Sequence, residues 1–312
     1  MHIFLSSLIS LIICWLIIKL IIKPFTKYLP DVPNKRSSHT NIVPRGGGLA
    51  ITISTCISGL IIGQTNFLLC LPLALVGLLD DYFKVSRKIR FAVQISTVFL
   101  ILINSKTIDI INNNNLVLIT TFIVLLIFGT AIINFSNFMD GIDGILAGCM
   151  IIIMISSALI LSSTLFIIVS SLIGFIIWNW SPAKIFMGDI GSTYLGGLLV
   201  WVIFNTSNVV DSIGILFIAT PILGDSLICL IRRIISKQPI FDAHSLHLYQ
   251  RLTKSGWSHS RVSFIYICSS SSIAVSFILG GINYAICAVF TILALGLWLN
   301  IKYAKPFSIN PN

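Results

Sequence analysis

The sequence predicts an all-α polytopic membrane protein with about eleven transmembrane helices. Three observations carry that expectation. Of 312 residues, 56% are hydrophobic and only 10% charged, with a mean hydropathy of +1.00. Apolar runs too long for a soluble core recur from end to end, so lipid is the solvent and helices satisfy the backbone. The runs do not alternate with period two, as the strands of a membrane β-barrel would.

The first run, from about Ile3 to Ile22, has Lys19 and Lys23 behind it rather than ahead of it, and no small-residue cleavage site follows. It therefore reads as a retained helix with its N-terminus outside, not as a signal peptide. Further runs centre near Ser54, Ala74, Thr97, Leu125, Met154, Ser170, Leu199, Pro221, Ser272 and Ile292. With the N-terminus outside, the inner segments become 24–45, 80–89, 134–144, 179–190, 236–262 and the tail after Ile301. Every Lys and Arg except Lys106 lies in or beside these segments, as the positive-inside rule requires. No internal repeat is visible, and residues 1–312 read as a single integral-membrane domain.

Glutamate is absent, and all ten acidic residues are aspartates. The same parity places Asp31, Asp80, Asp81, Asp140, Asp143, Asp189, Asp225 and Asp242 inside, leaving Asp109 and Asp211 outside. His39, His244, His247 and His259 also fall inside. Charged groups beside lipid are costly and tend to persist where they have a task. Carboxylates crowded onto one face point to a divalent cation held there with a phosphorylated substrate. The seven cysteines lie in apolar stretches without metal-type spacing and read as small buried side chains.

Five inner segments carry the candidate chemistry. In the first, Pro44-Arg45-Gly46-Gly47-Gly48 offers close backbone approach to an anion, although alone it also fits a plain basic juxtamembrane loop. Asp80-Asp81-Tyr82 closes the third span; adjacent carboxylates repel unless they share a cation or proton, and one could be a simple cap. Between Asn134 and Gly144, Asn137, Asp140 and Asp143 form a polar cluster unsuited to lipid-facing helix, with the two aspartates on one helical face. Asn179 and Phe186 precede Gly188-Asp189-Ile190-Gly191-Ser192. There, free amides at a helix start suit phosphate and Asp189 offers one hard oxygen ligand, or a plain N-cap. His244, His247 and Arg251 share a face in the largest inner loop, and a histidine pair without a nearby cysteine suits phosphate contact or general acid work better than zinc. Asp225 reads as a buried structural partner.

Together these segments resemble the polyprenyl-phosphate N-acetylhexosamine-1-phosphate transferases, the glycosyltransferase 4 type that includes MraY and WecA. The resemblance rests on Pro44-Arg45-Gly46-Gly47, Asp80-Asp81-Tyr82, Asn134 through Gly144, Phe186 through Ser192 and the His244–His247 loop, in the family's order. The run from Asp242 to Gln250 is similar to the O-antigen-initiating bacterial branch. The resemblance implies an enzyme of the bacterial inner membrane, with a periplasmic N-terminus, a cytoplasmic C-terminus and a cytoplasmic active site. It implies transfer of a sugar 1-phosphate from a UDP-N-acetylhexosamine to undecaprenyl phosphate, with UMP released. Carried over, Asp80, Asp81 and Asp189 would be the catalytic aspartates, with Asp189 the ligand of Mg2+ or, in its place, Mn2+. Asn179, Asp143 and Phe186 would hold the uridine, and His244, His247 and Arg251 the diphosphate or sugar. Arg45, Asn137 and Asp140 complete the expected substrate contacts. The bilayer and the two substrates are the expected partners, with a homodimer as the candidate assembly and no nucleic acid.

Two other classes compete. A transporter using intramembrane aspartates would place charges near the bilayer centre in broken helices, whereas these gather at inner helix ends. A CDP-alcohol phosphotransferase would continue its aspartate signature with Ala-Arg and further spaced aspartates, whereas Asp143-Gly144 runs into Ile145-Leu146-Ala147-Gly148. A reporter fused after Asn312 is expected to behave as cytoplasmic; a periplasmic signal would break the parity behind every inner-face assignment.

Overall fold

The computed structural model describes residues 2–33, 41–107, 115–239, 242 and 244–307. Lys35, Arg36, His39 and Asp109 lie outside the described residues.

Helix α1 (His2–Tyr28) leads into a short antiparallel pairing of β1 (Pro30–Asp31) with β2 (Val43–Pro44). Then come α2 (Gly48–Ile61), α3 (Leu71–Phe83) and α4 (Arg87–Ile103). Next are α5 (Asn115–Phe138), α6 (Ile145–Ile160), α7 (Phe166–Asn179) and α8 (Gly188–Phe204). Helices α9 (Val209–Ile218) and α10 (Thr220–Ile235) are bent by 75° at their junction. Pro221 sits at that break, where a missing amide and the ring's bulk interrupt the ladder. The short α11 (Leu248–Lys254) precedes α12 (His259–Gly280) and α13 (Ile282–Lys302).

The chain is thus an all-α protein of membrane character. Each predicted span centre falls inside one of these helices or, for Pro221, just past the bend. Five helices are long and apolar enough to cross a membrane by themselves, or six if the bent pair is one span. The difference from about eleven is one of length. Helices α2, α6 and α8 are apolar but short, and α8, with 17 residues, reaches only about 25 Å. Helix α4 opens instead with Arg87, Lys88 and Arg90.

Helix α8 is the hub. From Ile190 to Phe204 every residue is buried, the signature of a helix apolar all round. It packs against α2, α3, α4 and α5. Two close approaches seat its first turn. Gly48 of α2 lies directly on the backbone of Gly191, and a Cβ on Gly77 of α3 would stand 2.6 Å from the Asp189 carbonyl. Small residues let membrane helices approach at this range. Gly48→Ala and Gly77→Ala are each expected to cost about 1–3 kcal/mol by overpacking and to lower the thermal midpoint in detergent. Gly224→Ala, whose Cβ would meet only Thr220 at 3.4 Å, should be neutral or stabilising.

Candidate active site

Two helix ends bring the paired aspartates together with Asp189. Helix α3 stops at Lys84, whose φ of 54° is left-handed and whose amide donates to the Asp80 carbonyl at 3.1 Å. This leaves Asp80 and Asp81 in its last turn. Helix α8 begins with no side-chain cap of its own. The Asp81 carboxylate supplies the acceptor from the neighbouring helix, receiving the amides of Asp189 at 3.3 Å and Ile190 at 3.4 Å. Negative charge at a helix start also meets the positive end of its dipole. Gly188 has φ +76°, and a side chain there would collide with Asp81.

Arg90 closes the cluster from the first turn of α4. Its Nη1 donates to Oδ2 of Asp80 and, at 2.9 Å, to Oδ2 of Asp189. Asn137 stands beside it, accepting from the Ser192 hydroxyl at 2.9 Å, and lines the same small cavity as Asp189, Arg90 and Gln94. Asp140 lies in the turn after α5. Burial first, and then the charges of Asp189 and Asp81, push its carboxyl well above the usual carboxylate range.

The remaining candidate segments are laced to this cluster by backbone. The Phe186 amide donates to the Pro44 carbonyl at 2.8 Å, Gly47 donates back to the Phe186 carbonyl at 2.9 Å, and Gly48 donates to the Met187 carbonyl at 2.8 Å. Arg45 bonds Asp31 at 2.8 Å. Asn179 joins two loops, accepting from the Gly144 amide at 3.0 Å and donating to the Ile185 carbonyl at 2.9 Å. Asp143 accepts from the Ala183 amide at 3.2 Å and pairs with His259 at 3.2 Å. Burial alone would raise Asp143, but the bond and charge of His259 outweigh it and hold the carboxyl below its ordinary value.

The histidine loop forms a second centre. His247 is 3% exposed and stacks on His244 at 5.1 Å and on Tyr249 at 5.7 Å. Its Nδ1 stands 3.8 Å from the Asp225 carboxylate, an ion-pair distance. Burial opposes its protonation, yet Asp225 overrides this and raises it to about 9. His244 moves the other way, to about 3, through burial and then the charges of His247, Arg233 and Lys254. Asp225 also accepts from the amides of Leu248 at 2.8 Å and Tyr249 at 3.2 Å and from the Tyr266 hydroxyl at 2.7 Å. The Tyr249 hydroxyl reaches the Phe138 carbonyl at 2.9 Å, which ties this loop to the turn carrying Asp140.

The fold therefore gathers Asp80, Asp81, Asp189, Asn137 and Asp140, laces Arg45, Asp143, Asn179 and Phe186 around them, and stacks His244 on His247. Arg251 it directs elsewhere: the guanidinium donates to Leu246 at 3.1 Å, to Lys305 at 2.7 Å and to Asn300. Three groups escaped the sequence reading. Arg90 looked like one of several juxtamembrane cations, and His259 like an inner-face histidine with no assigned task. Cys229 lies with His244 and His247 so that one donor atom from each falls within 4.8 Å of the others, whereas the sequence shows no cysteine beside the pair. That set is soft, while Asp80, Asp189 and Asn137 offer the hard oxygens that suit Mg2+.

Residues 64–207 match glycosyl transferase family 4, a stretch that covers the carboxylate cluster and stops before the histidine loop. Over 283 residues the chain is 34% identical to a probable undecaprenyl-phosphate N-acetylglucosaminyl 1-phosphate transferase of Bacillus subtilis, covering 80% of this chain and 77% of that one. It is 33% identical to the undecaprenyl-phosphate alpha-N-acetylglucosaminyl 1-phosphate transferase of Thermotoga maritima, over 72% of this chain and 74% of that protein. The corresponding Escherichia coli K12 enzyme is 26% identical, over 80% and 75%.

Because the folded state holds His247 above the ordinary 6.5, its ion pair contributes stability that is complete below about pH 6.5 and lost as pH rises through about 9. The stability advantage of the wild type over His247→Gln is expected to shrink by roughly 3 kcal/mol across that window. Thermal midpoints of both proteins between pH 6 and 10 measure it, and a constant difference would rule the ion pair out.

Proposed function

The chain belongs to glycosyl transferase family 4, and on that premise we propose that it transfers a sugar 1-phosphate from a UDP-N-acetylhexosamine to undecaprenyl phosphate. A phosphate oxygen of the lipid bonds to the β-phosphorus of the nucleotide sugar, the bond to the bridging oxygen breaks, and UMP leaves with that oxygen. The lipid-diphospho-sugar stays in the bacterial inner membrane and initiates O-antigen or another cell-envelope polysaccharide. The observation that carries this reading is the meeting of Asp80 and Asp189, from two different helices, on a single cationic group.

Two anions must meet for this reaction, so cationic charge has to offset the phosphates. Asp189, with Asp80 beside it, would hold Mg2+, with Mn2+ as substitute; bound there, the ion supplies that charge. Asp80 positions the lipid phosphate, and Asp81 acts through the start of α8 that it caps. Phe186 stacks on the uracil, with Asn179 and Asp143 setting its pocket. Arg45 and the adjoining glycines face the anionic end of the nucleotide sugar. Asn137 and Asp140 flank the same space, and His247, kept cationic by Asp225, contacts the diphosphate with His244 beside it. Arg251 serves by holding α11 to the C-terminal segment, because its donors are occupied there. The chain works as a single domain, residues 1–312, with about eleven spans, a periplasmic N-terminus and a cytoplasmic C-terminus. The five inner loops together form its cytoplasmic site, and a homodimer is its proposed assembly.

The test is turnover in membranes supplied with undecaprenyl phosphate and a panel of labelled UDP-N-acetylhexosamines. Asp189→Asn and Asp80→Asn are each expected to lose on the order of a hundredfold or more, while Asp211→Asn stays within about twofold. Chelation should abolish wild-type turnover, and Mg2+ should restore it. Near-normal turnover in a folded Asp189→Asn protein would overturn the assignment.

A further inference from the structure

We propose that Arg90 is a positioning residue that serves as a built-in counter-ion for Asp80 and Asp189 and is exchanged for the divalent cation when that cation binds. The inference rests on the reading that these carboxylates are the cation's ligands, and it assigns a task to a residue outside that reading.

The geometry is specific. One atom, Nη1, bonds the Oδ2 oxygens of both aspartates, so a cation held by that pair would have to displace it. Those two carboxylates have no other Lys or Arg within salt-bridge distance among the described residues. Nη1 thus sits where the two carboxylates meet. The cavity lined by Arg90, Gln94, Asn137 and Asp189 measures about 10 Å³, the space of roughly one water. Magnesium keeps several of its waters, more than this cavity on the Asp189 side holds while the guanidinium stays in place.

Charge balance gives the exchange its direction. Two carboxylates held together repel unless a positive group intervenes. The guanidinium offsets one of the two negative charges; a divalent ion offsets both. Arg90 therefore keeps the pair assembled before the cation arrives, at the expense of weaker cation binding. It is anchored for this on α4, a different helix from either aspartate, so it can withdraw without moving α3 or α8.

Two readouts on the purified full chain in detergent test the proposal. Mn2+ binding, followed by the electron paramagnetic resonance of the free ion, should give a half-saturation about tenfold lower in Arg90→Gln than in wild type. That is the scale on which one nearby charge moves a carboxylate equilibrium. Arg90→Lys, which keeps the charge but not the planar fork, should fall between the two. In EDTA the thermal midpoint of Arg90→Gln should lie below wild type, and saturating Mg2+ should close most of that gap, because the ion replaces the missing charge. A purely structural arginine would leave the gap unchanged. Unaltered or weaker Mn2+ binding in Arg90→Gln overturns the proposal, as does a gap that persists in Mg2+; if Arg90→Gln does not fold, unaltered binding in Arg90→Lys has the same force. Wild type binding no Mn2+, with Asp189→Asn indistinguishable from it, would instead refute the cation site itself.

Discussion

The carboxylate cluster of this protein depends on one contact, the Asp81 carboxylate receiving the first amides of α8. A helix that starts inside a membrane protein has free donors that lipid cannot satisfy. The acceptor here comes from the end of α3 rather than from the chain just before α8. That arrangement locks the two helix ends together, and the neighbouring Asp80 and Asp189 come within reach of one guanidinium. The approach is sterically feasible because Gly77 and Gly188 present no side chain where the helices meet.

The same device recurs at the other end of the site. Asp225, on α10, accepts the opening amides of α11 and at the same time faces His247. In both places a buried aspartate from one helix completes the start of another and places a titratable neighbour beside it. The two centres are joined by the Tyr249 hydroxyl on the Phe138 carbonyl. Between them, the backbone lacing of 44–48 with 186–187 and the double bond made by Asn179 leave little freedom to the loops that carry candidate contacts. Groups held this way on helix ends are prearranged, and a ligand bound there would meet less of the ordering that binding requires.

Much of this was legible in the sequence. Hydropathy places the helices because lipid rewards apolar runs wherever they occur along the chain. The rarity of charge in so apolar a chain singled out the aspartates and histidines, and the order of five motifs pointed to the family that the comparisons identify. Span count was less legible, because helices such as α2 and α8 are apolar yet short, and the bend at Pro221 breaks one apolar run into two helices.

What the sequence by itself determined is therefore which residues are apolar, which segments are polar and which residue types can do chemistry. The tertiary structure alone decided how those residues are partnered. Arg90 meets Asp189 across 99 positions, and Asp81 meets the Asp189 amide across 108. Arg251, placed by spacing on the face of His244 and His247, is drawn to Lys305, 54 positions away, and Cys229 joins the histidines only because α10 packs beneath their loop. The physical reason is that hydropathy acts locally along the chain, while a hydrogen bond or ion pair forms only where helix packing brings two distant groups within about 3 Å.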